Sequence, residues 1–220
     1  IGRNAMASAD SSNDDGTVAI GWKALQDQNL GAAGANTAVG FKAGYVISTG
    51  IRNTYLGSGA GQNATTGDDN VFLGRDAGWY ATTASGSVAI GERAGGGDTG
   101  NRNIGIGYRA LNVDGTSGDN NIAIGASAGD ALSSGHSNIL MGKDAGGAMT
   151  TCNSNVVIGV QAGDALTSTS DIVLVGRGAG TAINSTDADG SVGIGKNALL
   201  ALTDGQYNTA IGFEAMDELT

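Results

Sequence analysis

The chain has 220 residues and 40 glycines but no proline, and a collagen-like helix is excluded because both proline and a three-residue glycine period are missing. Intrinsic disorder is disfavoured because 40% of the residues are hydrophobic and only 15% are charged. The formal net charge of −10 argues against nucleic acid as a partner, and membrane insertion is not expected because no apolar run approaches the roughly 20 residues that cross a bilayer.

One short unit recurs along the whole chain, marked by a glycine that follows an apolar run. Successive marker glycines are 16 to 19 residues apart, and an alanine follows each of them by three residues. Such a period is typical of repeat proteins in which each unit stacks on the next. The sequence therefore predicts an all-β, parallel β-solenoid of about thirteen short coils, with residues 1–220 as a single repeat domain from a longer chain. The marker glycines are Gly2, Gly21, Gly40, Gly57, Gly74, Gly91, Gly107, Gly125, Gly142, Gly159, Gly176, Gly195 and Gly212.

Each coil begins with a predicted strand. The residue before the marker glycine is always aliphatic or Met, as in Ile20 and Val39, and Val, Ile or Thr usually stands two residues earlier, as in Val18 and Thr37. This spacing of two predicts a strand with one buried face. We expect the aliphatic pair to face the interior, and the rest of the unit has room for a second strand of four or five residues and two turns.

The residue between the aliphatic pair varies along the chain. It is small in copies such as Ala19 and Ala38, and it is bulky in Tyr55, Phe72, Leu140, Val157 and Leu174. On an outer face, bulky apolar residues need a second surface to cover them. We therefore favour an interface with copies of the same chain over local cover by turn loops, since a thin, glycine-rich core makes a lone chain marginal.

Asparagine recurs four residues before the marker glycine in most copies. Stacked amides can hydrogen-bond to the coils on either side, so an architectural role is favoured over sugar binding. Copy eleven has Ile172 at this place, and a local bulge is expected there. The asparagines are Asn36, Asn53, Asn70, Asn103, Asn121, Asn138, Asn155 and Asn208.

The residues that follow the marker glycines are the candidates for surface contact. Nine of the eleven basic residues lie one or two places after such a glycine, so stacked coils would carry a basic stripe along one edge. The stripe either contacts an acidic glycan or a neighbouring chain, or keeps the sheet edge soluble. The aromatic residues either stack on sugars or pack between chains, and we favour packing. The candidates are the aromatics Trp22, Phe41, Tyr108 and Phe213 and the lysines Lys23 and Lys42.

No catalytic, cofactor or metal site is expected, and the chain is interpreted as non-enzymatic. The lone histidine, His136, lies in a serine-rich turn, so a Ser-His-Asp triad has no support. Cys152 is the single cysteine, which rules out an internal disulfide or a thiolate metal cluster, and it replaces a turn residue.

Units such as residues 36–43 (Asn-Thr-Ala-Val-Gly-Phe-Lys-Ala) and 208–215 (Asn-Thr-Ala-Ile-Gly-Phe-Glu-Ala) resemble the Asn-Thr-Ala-Ile-Gly-x-x-Ala repeats of phage tail fibres. They are also similar to the head repeats of trimeric autotransporter adhesins. The resemblance covers the whole chain and implies a left-handed parallel β-roll, packed with two identical chains as a homotrimer, without a cofactor.

The function that this resemblance implies is that of the repeat shaft or head of an adhesive fibre. Such a fibre mediates host attachment, with a host-surface glycan or protein as its other partner, and it is found on a virion tail or at the extracellular cell surface. Units of about 17 residues are longer than usual adhesin head repeats and favour the phage fibre, with the adhesin head as the alternative.

Two β-solenoid functions of another class are weaker alternatives. An ice-binding surface needs a flat array of regularly spaced threonines, but Thr37, Thr54 and Thr209 are few and scattered. A polysaccharide-degrading solenoid needs carboxylate pairs facing one groove, and the acidic residues here lie in turns of varying length.

Overall fold

The computed structural model describes residues 1–8, 16–28, 34–95, 100–114, 117–183, 188–202 and 205–217. The protein is an all-β parallel solenoid, as predicted, and its described residues form no α-helix. The chain divides into two compact units, Ile1–Arg109 with Asp114–Ser117 and Ala110–Val113 with Gly118–Thr220.

Each strand has three residues, and consecutive strands belong to consecutive coils. The first unit contains β1 (Val18–Ile20), β2 (Thr37–Val39), β3 (Thr54–Leu56), β4 (Val71–Leu73), β5 (Val88–Ile90) and β6 (Ile104–Ile106). The second contains β7 (Ile122–Ile124), β8 (Ile139–Met141), β9 (Val156–Ile158), β10 (Val173–Val175), β11 (Val192–Ile194) and β12 (Thr209–Ile211). Within each unit, every strand pairs in parallel and position for position with the next one. The variation in repeat length is therefore absorbed outside the strands.

The first copy departs from the common strand pattern, and copy eleven keeps it although Ile172 stands in place of asparagine. The first copy forms no strand, yet it is stacked on the second, because the Gly21 N–H donates to the Ile1 carbonyl (2.7 Å). The bulge predicted at copy eleven is wrong, since β10 pairs in continuous register with β9 and β11. Ile172 keeps its backbone N–H bonded to Asn155 Oδ1 (3.0 Å) and buries its side chain in the core. The register needs only the backbone donor at this place, which isoleucine supplies.

The second strand predicted for each coil is wrong for the described coils. The chain turns there with left-handed residues at alternate positions, such as Lys23 (φ 57°) and Leu25 (φ 48°). The Lys23 N–H donates to Arg3 O in the preceding coil (3.1 Å), and the Leu25 N–H donates to Ala43 O in the following coil (3.0 Å). Neighbouring coils are thus hydrogen-bonded without extended backbone on this side.

The strand faces are the reverse of the prediction. In every strand the middle residue is buried while its two neighbours are half-buried or exposed, as in Tyr55 between Thr54 and Leu56. A three-residue strand presents one residue to one face and two to the other, and the narrow interior accepts the single residue. The prediction that the aliphatic pair faces the core is therefore wrong, although the composition of the pair is that of a buried face.

Large strand centres are matched within their coil by the fourth residue after the marker glycine. Where the centre is large, as at Tyr55, that residue is glycine, and a Cβ on Gly61 would meet the tyrosine ring at 2.6 Å. Small centres follow no such rule, since Gly193 is accompanied by the fully buried Leu199 and Ala38 by glycine. Glycine beside a large centre avoids the overpacking that destabilises a core.

The two units have different cores. The first is an alanine-rich cluster around the stacked rings of Tyr55 and Phe72, whose centroids are 5.4 Å apart. The Tyr55 hydroxyl makes no hydrogen bond within the described part of the chain, and burial raises the pKa of this phenol. The second core is mainly aliphatic and includes Leu140, Met149 and Leu166.

The asparagine file forms the predicted architectural ladder. In the second unit, Asn138 Nδ2 donates to the Cys152 carbonyl (2.8 Å), and Asn138 Oδ1 accepts the Asn155 N–H (3.1 Å). In the first unit, Asn53 Oδ1 accepts the Asn70 N–H in the same way (2.9 Å). These side chains are buried, and buried polar groups are costly when unpaired. The ladder therefore fixes the register in which each coil pairs with the next one.

Cys152 lies in the core, although the sequence placed it in a turn. Burial raises the pKa of its thiol to about 11, and the thiolate is the reactive form. We predict that the native protein resists iodoacetamide at about pH 8, where an ordinary thiol of pKa about 8.5 reacts, and that the denatured chain is fully alkylated. Intact-mass spectrometry measures the adduct. Equal alkylation rates in the native and denatured states would contradict the burial of Cys152.

Candidate functional site

Two of the predicted contact aromatics come together on successive coils. Strands β1 and β2 pair in register, so the residues after their marker glycines are also level, and the Lys42 N–H donates to Trp22 O (2.9 Å). This alignment stacks the rings of Trp22 and Phe41, with centroids 4.8 Å apart and planes inclined by 16°. Both rings remain accessible, with 36% of Trp22 and 51% of Phe41 exposed.

The two predicted lysines complete this group with a third ring. Lys23 Nζ lies over Trp22 (4.8 Å to the centroid) and Tyr45 (5.3 Å). Lys42 Nζ lies over Phe41 (5.7 Å) and the same tyrosine (5.2 Å). Such cation–π contacts hold an ammonium group in place without neutralising it. We call Trp22, Lys23, Phe41, Lys42 and Tyr45 the aromatic-lysine cluster.

Tyr45 was not predicted as a site residue. It stands five places after Gly40, at a position whose residue type changes from coil to coil, so no repeat pattern marks it. Only the turn brings it beside the lysines of its own coil and the preceding one. A tyrosine a few residues from an aromatic-lysine pair was the sole signal in the sequence.

The electrostatic setting of the cluster differs from that of basic residues that lie beside a carboxylate. Arg75 hydrogen-bonds Glu92, and Lys143 Nζ lies 3.0 Å from Asp144. For Lys23 and Lys42, by contrast, the described residues place no carboxylate within ion-pair distance. Their neighbour on the first coil is another base, Arg3, whose carbonyl accepts the Lys23 N–H. Three successive coils thus carry a base at the start of the turn, in a chain of net charge −10.

Ion pairing elsewhere on the solenoid shows what a partner does to such a base. Arg52 donates from Nε to Asp69 Oδ1 (2.6 Å) and from its terminal nitrogen to Oδ2 (2.8 Å), across successive coils. These hydrogen bonds hold the pKa of the Asp69 carboxyl below its ordinary value and raise the pKa of Arg52. Exposed pairs of this kind contribute little stability, but they leave no unpaired positive charge for an anionic ligand.

The other two predicted aromatics do not join the cluster. Tyr108 lies four coils further along the first unit, is 51% exposed, and makes no ring or cation contact with described residues. Phe213 belongs to the second unit and has Lys196 Nζ 4.8 Å from its centroid. That lysine also lies 4.0 Å from Glu214. Neither site combines several rings with unpaired charge.

The lone histidine takes part in the hydrogen bonding between coils. His136 Nδ1 accepts the Asp119 N–H (2.9 Å), and the His136 N–H donates to Asn153 Oδ1 (2.9 Å). The histidine therefore has an architectural role in the second unit. Within the described ranges, no group of three or more His, Cys, Asp or Glu side chains is placed to hold a metal ion.

No helix in the described residues has the length and apolar character needed to cross a bilayer.

Comparison with known proteins found no matching family model, no matching curated protein and no matching solved structure.

Proposed function

We propose that the chain is a non-enzymatic segment of an elongated adhesive fibre, assembled from three identical chains. The observation that carries this proposal is the outer face of the strands. Fibres of this kind hold a binding tip away from a virion or cell surface, and the resemblance to phage tail-fibre repeats favours the virion. The stacked coils supply length, and the outer face supplies the surface through which chains associate.

The outer face consists of two files of residues, one on each side of the buried strand centre. All its members are Val, Ile, Leu, Met or Thr, and the face carries no charge. Representative exposed fractions are 41% for Ile20, 44% for Leu56 and 39% for Leu73. Six strands about 4.8 Å apart, with about 3.3 Å per residue, present roughly 300 Å² in each unit. That is already the size of the largest apolar patch on a typical monomer, and the chain has two.

A second copy of the chain is the partner that fits this face best. Its outer face has the same rise of about 4.8 Å per coil, so side chains of two copies stay in step from coil to coil. A surface without this repeat falls out of register after one or two strands. Identical chains around a common axis form a closed assembly that leaves no unmatched interface. The number three follows from the resemblance to trimeric fibres.

Sedimentation equilibrium and native mass spectrometry test the assembly directly. We expect a species of three times the 21.6 kDa chain mass, stable to dilution into the micromolar range. A protein that remains monomeric at all concentrations overturns the proposal. A stable dimer would retain the interface and overturn the number of chains.

We predict that Leu73→Glu dissociates the assembly into monomers. Leu73 lies in an outer file beside Leu56 and is 39% exposed in the single chain, so the charge costs little until a partner covers it. Burying an unpaired carboxylate costs several kcal/mol. Sedimentation velocity measures the shift.

The matched control for this prediction is Thr83→Glu, which adds the same charge to an exposed turn residue. We expect the control to keep the assembly intact. If both variants retain the wild-type mass, the outer face is not the interface.

A further inference from the structure

We propose that the aromatic-lysine cluster is a binding site for carboxylated polysaccharide. The inference rests on the proposed function, because a fibre that carries one copy of the site on each chain presents several sites to one polymer. The site lies in the turns that follow the strands and is separate from the outer face. The sequence favours packing between chains for these rings, but the lysines held over them favour an anionic sugar instead.

The charge of the cluster selects an anionic ligand. Lys23 and Lys42 meet no carboxylate among the described residues, and Arg3 adds a third base on the preceding coil. The rings hold both ammonium groups at 4.8 to 5.7 Å from their centroids. Because these lysines are already positioned, binding loses less side-chain entropy than it would with free lysines. Such fixed ammonium pairs bind an anionic group, and a carboxylate is the one that this proposal names.

The aromatic surface selects a sugar over a simple anion. Pyranose rings have apolar C–H faces and polar edges, and partly exposed aromatic rings provide a matching apolar surface. Phe41 is half exposed and Trp22 about a third exposed, so both retain surface for a ligand. The ammonium groups lie within reach of the same rings. One sugar can therefore contact a ring and a cation together.

The coil repeat favours a polymer. Lys23 and Lys42 hold the same place on successive coils, at about the 4.8 Å spacing of paired strands, and Arg3 stands one place earlier in the preceding coil, so a chain with regularly repeated carboxylates can meet several bases. Nucleic acid is disfavoured because the protein as a whole is strongly acidic. An added peptide strand is disfavoured because the backbone here already bonds between coils, as in Lys42 N–H to Trp22 O.

The test uses alginate oligosaccharides, which carry a carboxylate on every sugar, and neutral dextran as the reference polymer. The assembled protein carries Trp79→Phe, which leaves Trp22 as its single tryptophan. We expect alginate to change the Trp22 emission saturably and dextran to leave it unchanged. The apparent affinity for alginate should fall as salt is raised, since the contacts are ionic.

The decisive variant is Lys23→Gln with Lys42→Gln, in the same Trp79→Phe background. Its matched control, Lys143→Gln with Lys196→Gln, removes the same charge from the second unit. We expect the apparent Kd for alginate to rise about tenfold or more in the first variant, equivalent to about 1.4 kcal/mol, and less than about twofold in the control.

Four results overturn the proposal. They are equal responses to alginate and dextran, equal losses in the two double variants, tighter binding of polyglutamate than of alginate, and shielding of Trp22 from acrylamide in the assembled protein. The last would assign the rings to contacts between chains. Sedimentation of the same samples separates this proposal from the fibre proposal. A monomer that binds alginate would support the binding site and overturn the fibre assembly. A trimer that does not bind alginate would overturn the binding site and leave the fibre assembly standing.

Discussion

Replacing Gly142 by alanine is expected to lower the free energy of unfolding by about 4 kcal/mol or more, the range of exceptional single substitutions. Gly142 has φ +133°, a conformation that side-chain-bearing residues rarely adopt. An added Cβ would overlap the Gly159 carbonyl oxygen and lie 2.6 Å from its carbon. The backbone cannot move away freely, because the Gly142 N–H donates to Ile124 O (2.8 Å). Guanidinium unfolding followed by circular dichroism measures the loss.

The control for Gly142 is Gly147→Ala in the same coil. Gly147 has no left-handed φ, and its Cβ would meet Asp164 Oδ1 (2.9 Å), at the mobile end of a side chain, and Asp144 O at an ordinary contact distance (3.6 Å). We expect a change within about 1 kcal/mol. The rate at which Cys152 is alkylated in buffer also measures local opening of this coil, since the thiol lies in the segment between Gly142 and Gly159. Matching midpoints for Gly142→Ala and wild type would contradict the steric argument.

Replacing Asn138 by alanine is expected to destabilise the solenoid by about 3 kcal/mol, because buried partners lose their hydrogen bonds. The Asn138 amide nitrogen donates to Cys152 O and to Asn121 Oδ1 (2.8 and 3.0 Å). Its oxygen accepts the backbone N–H and the side-chain nitrogen of Asn155 (3.1 and 3.0 Å). One truncation therefore affects both neighbouring coils. The denaturation midpoint at unchanged m-value reports the loss.

Asn138→Ser is the graded comparison for the ladder. The chain itself uses serine at this place in two copies, where Ser87 Oγ accepts the Asn103 N–H (3.2 Å) and Ser191 Oγ accepts the Asn208 N–H (3.1 Å). We expect serine to recover part of the stability lost with alanine. If alanine and serine are equally tolerated, hydrogen bonding by the ladder does not stabilise the fold.

The candidate site was predictable in part. Trp22 and Phe41 follow marker glycines of adjacent copies, so in-register stacking alone brings them together. The neighbouring lysines follow for the same reason. The role of Tyr45 could not be predicted from the sequence, because its contact with both lysines depends on left-handed backbone at Lys23 and Lys42 (φ 57° and 53°). Residue types alone do not predict left-handed backbone at a lysine, because non-glycine residues seldom adopt that conformation.

The repeat, the parallel stacking of coils and the asparagine ladder could all be predicted from the residue order, because each depends on residues that recur at one place in the unit. The contacts of Tyr55 with Gly61 and of Gly193 with Leu199 could not be predicted in this way, because they depend on both residues facing one interior.

The buried face of each strand could not be predicted from the residue order and is known only from the folded coil. Alternation along a strand separates two faces without saying which one is buried, and here the β-branched pair has the composition of a core while lying outside. The width of the coil settles the question, because the narrow interior admits one residue from each strand. That choice leaves an aliphatic face on the surface, and on this face the proposed assembly of identical chains depends.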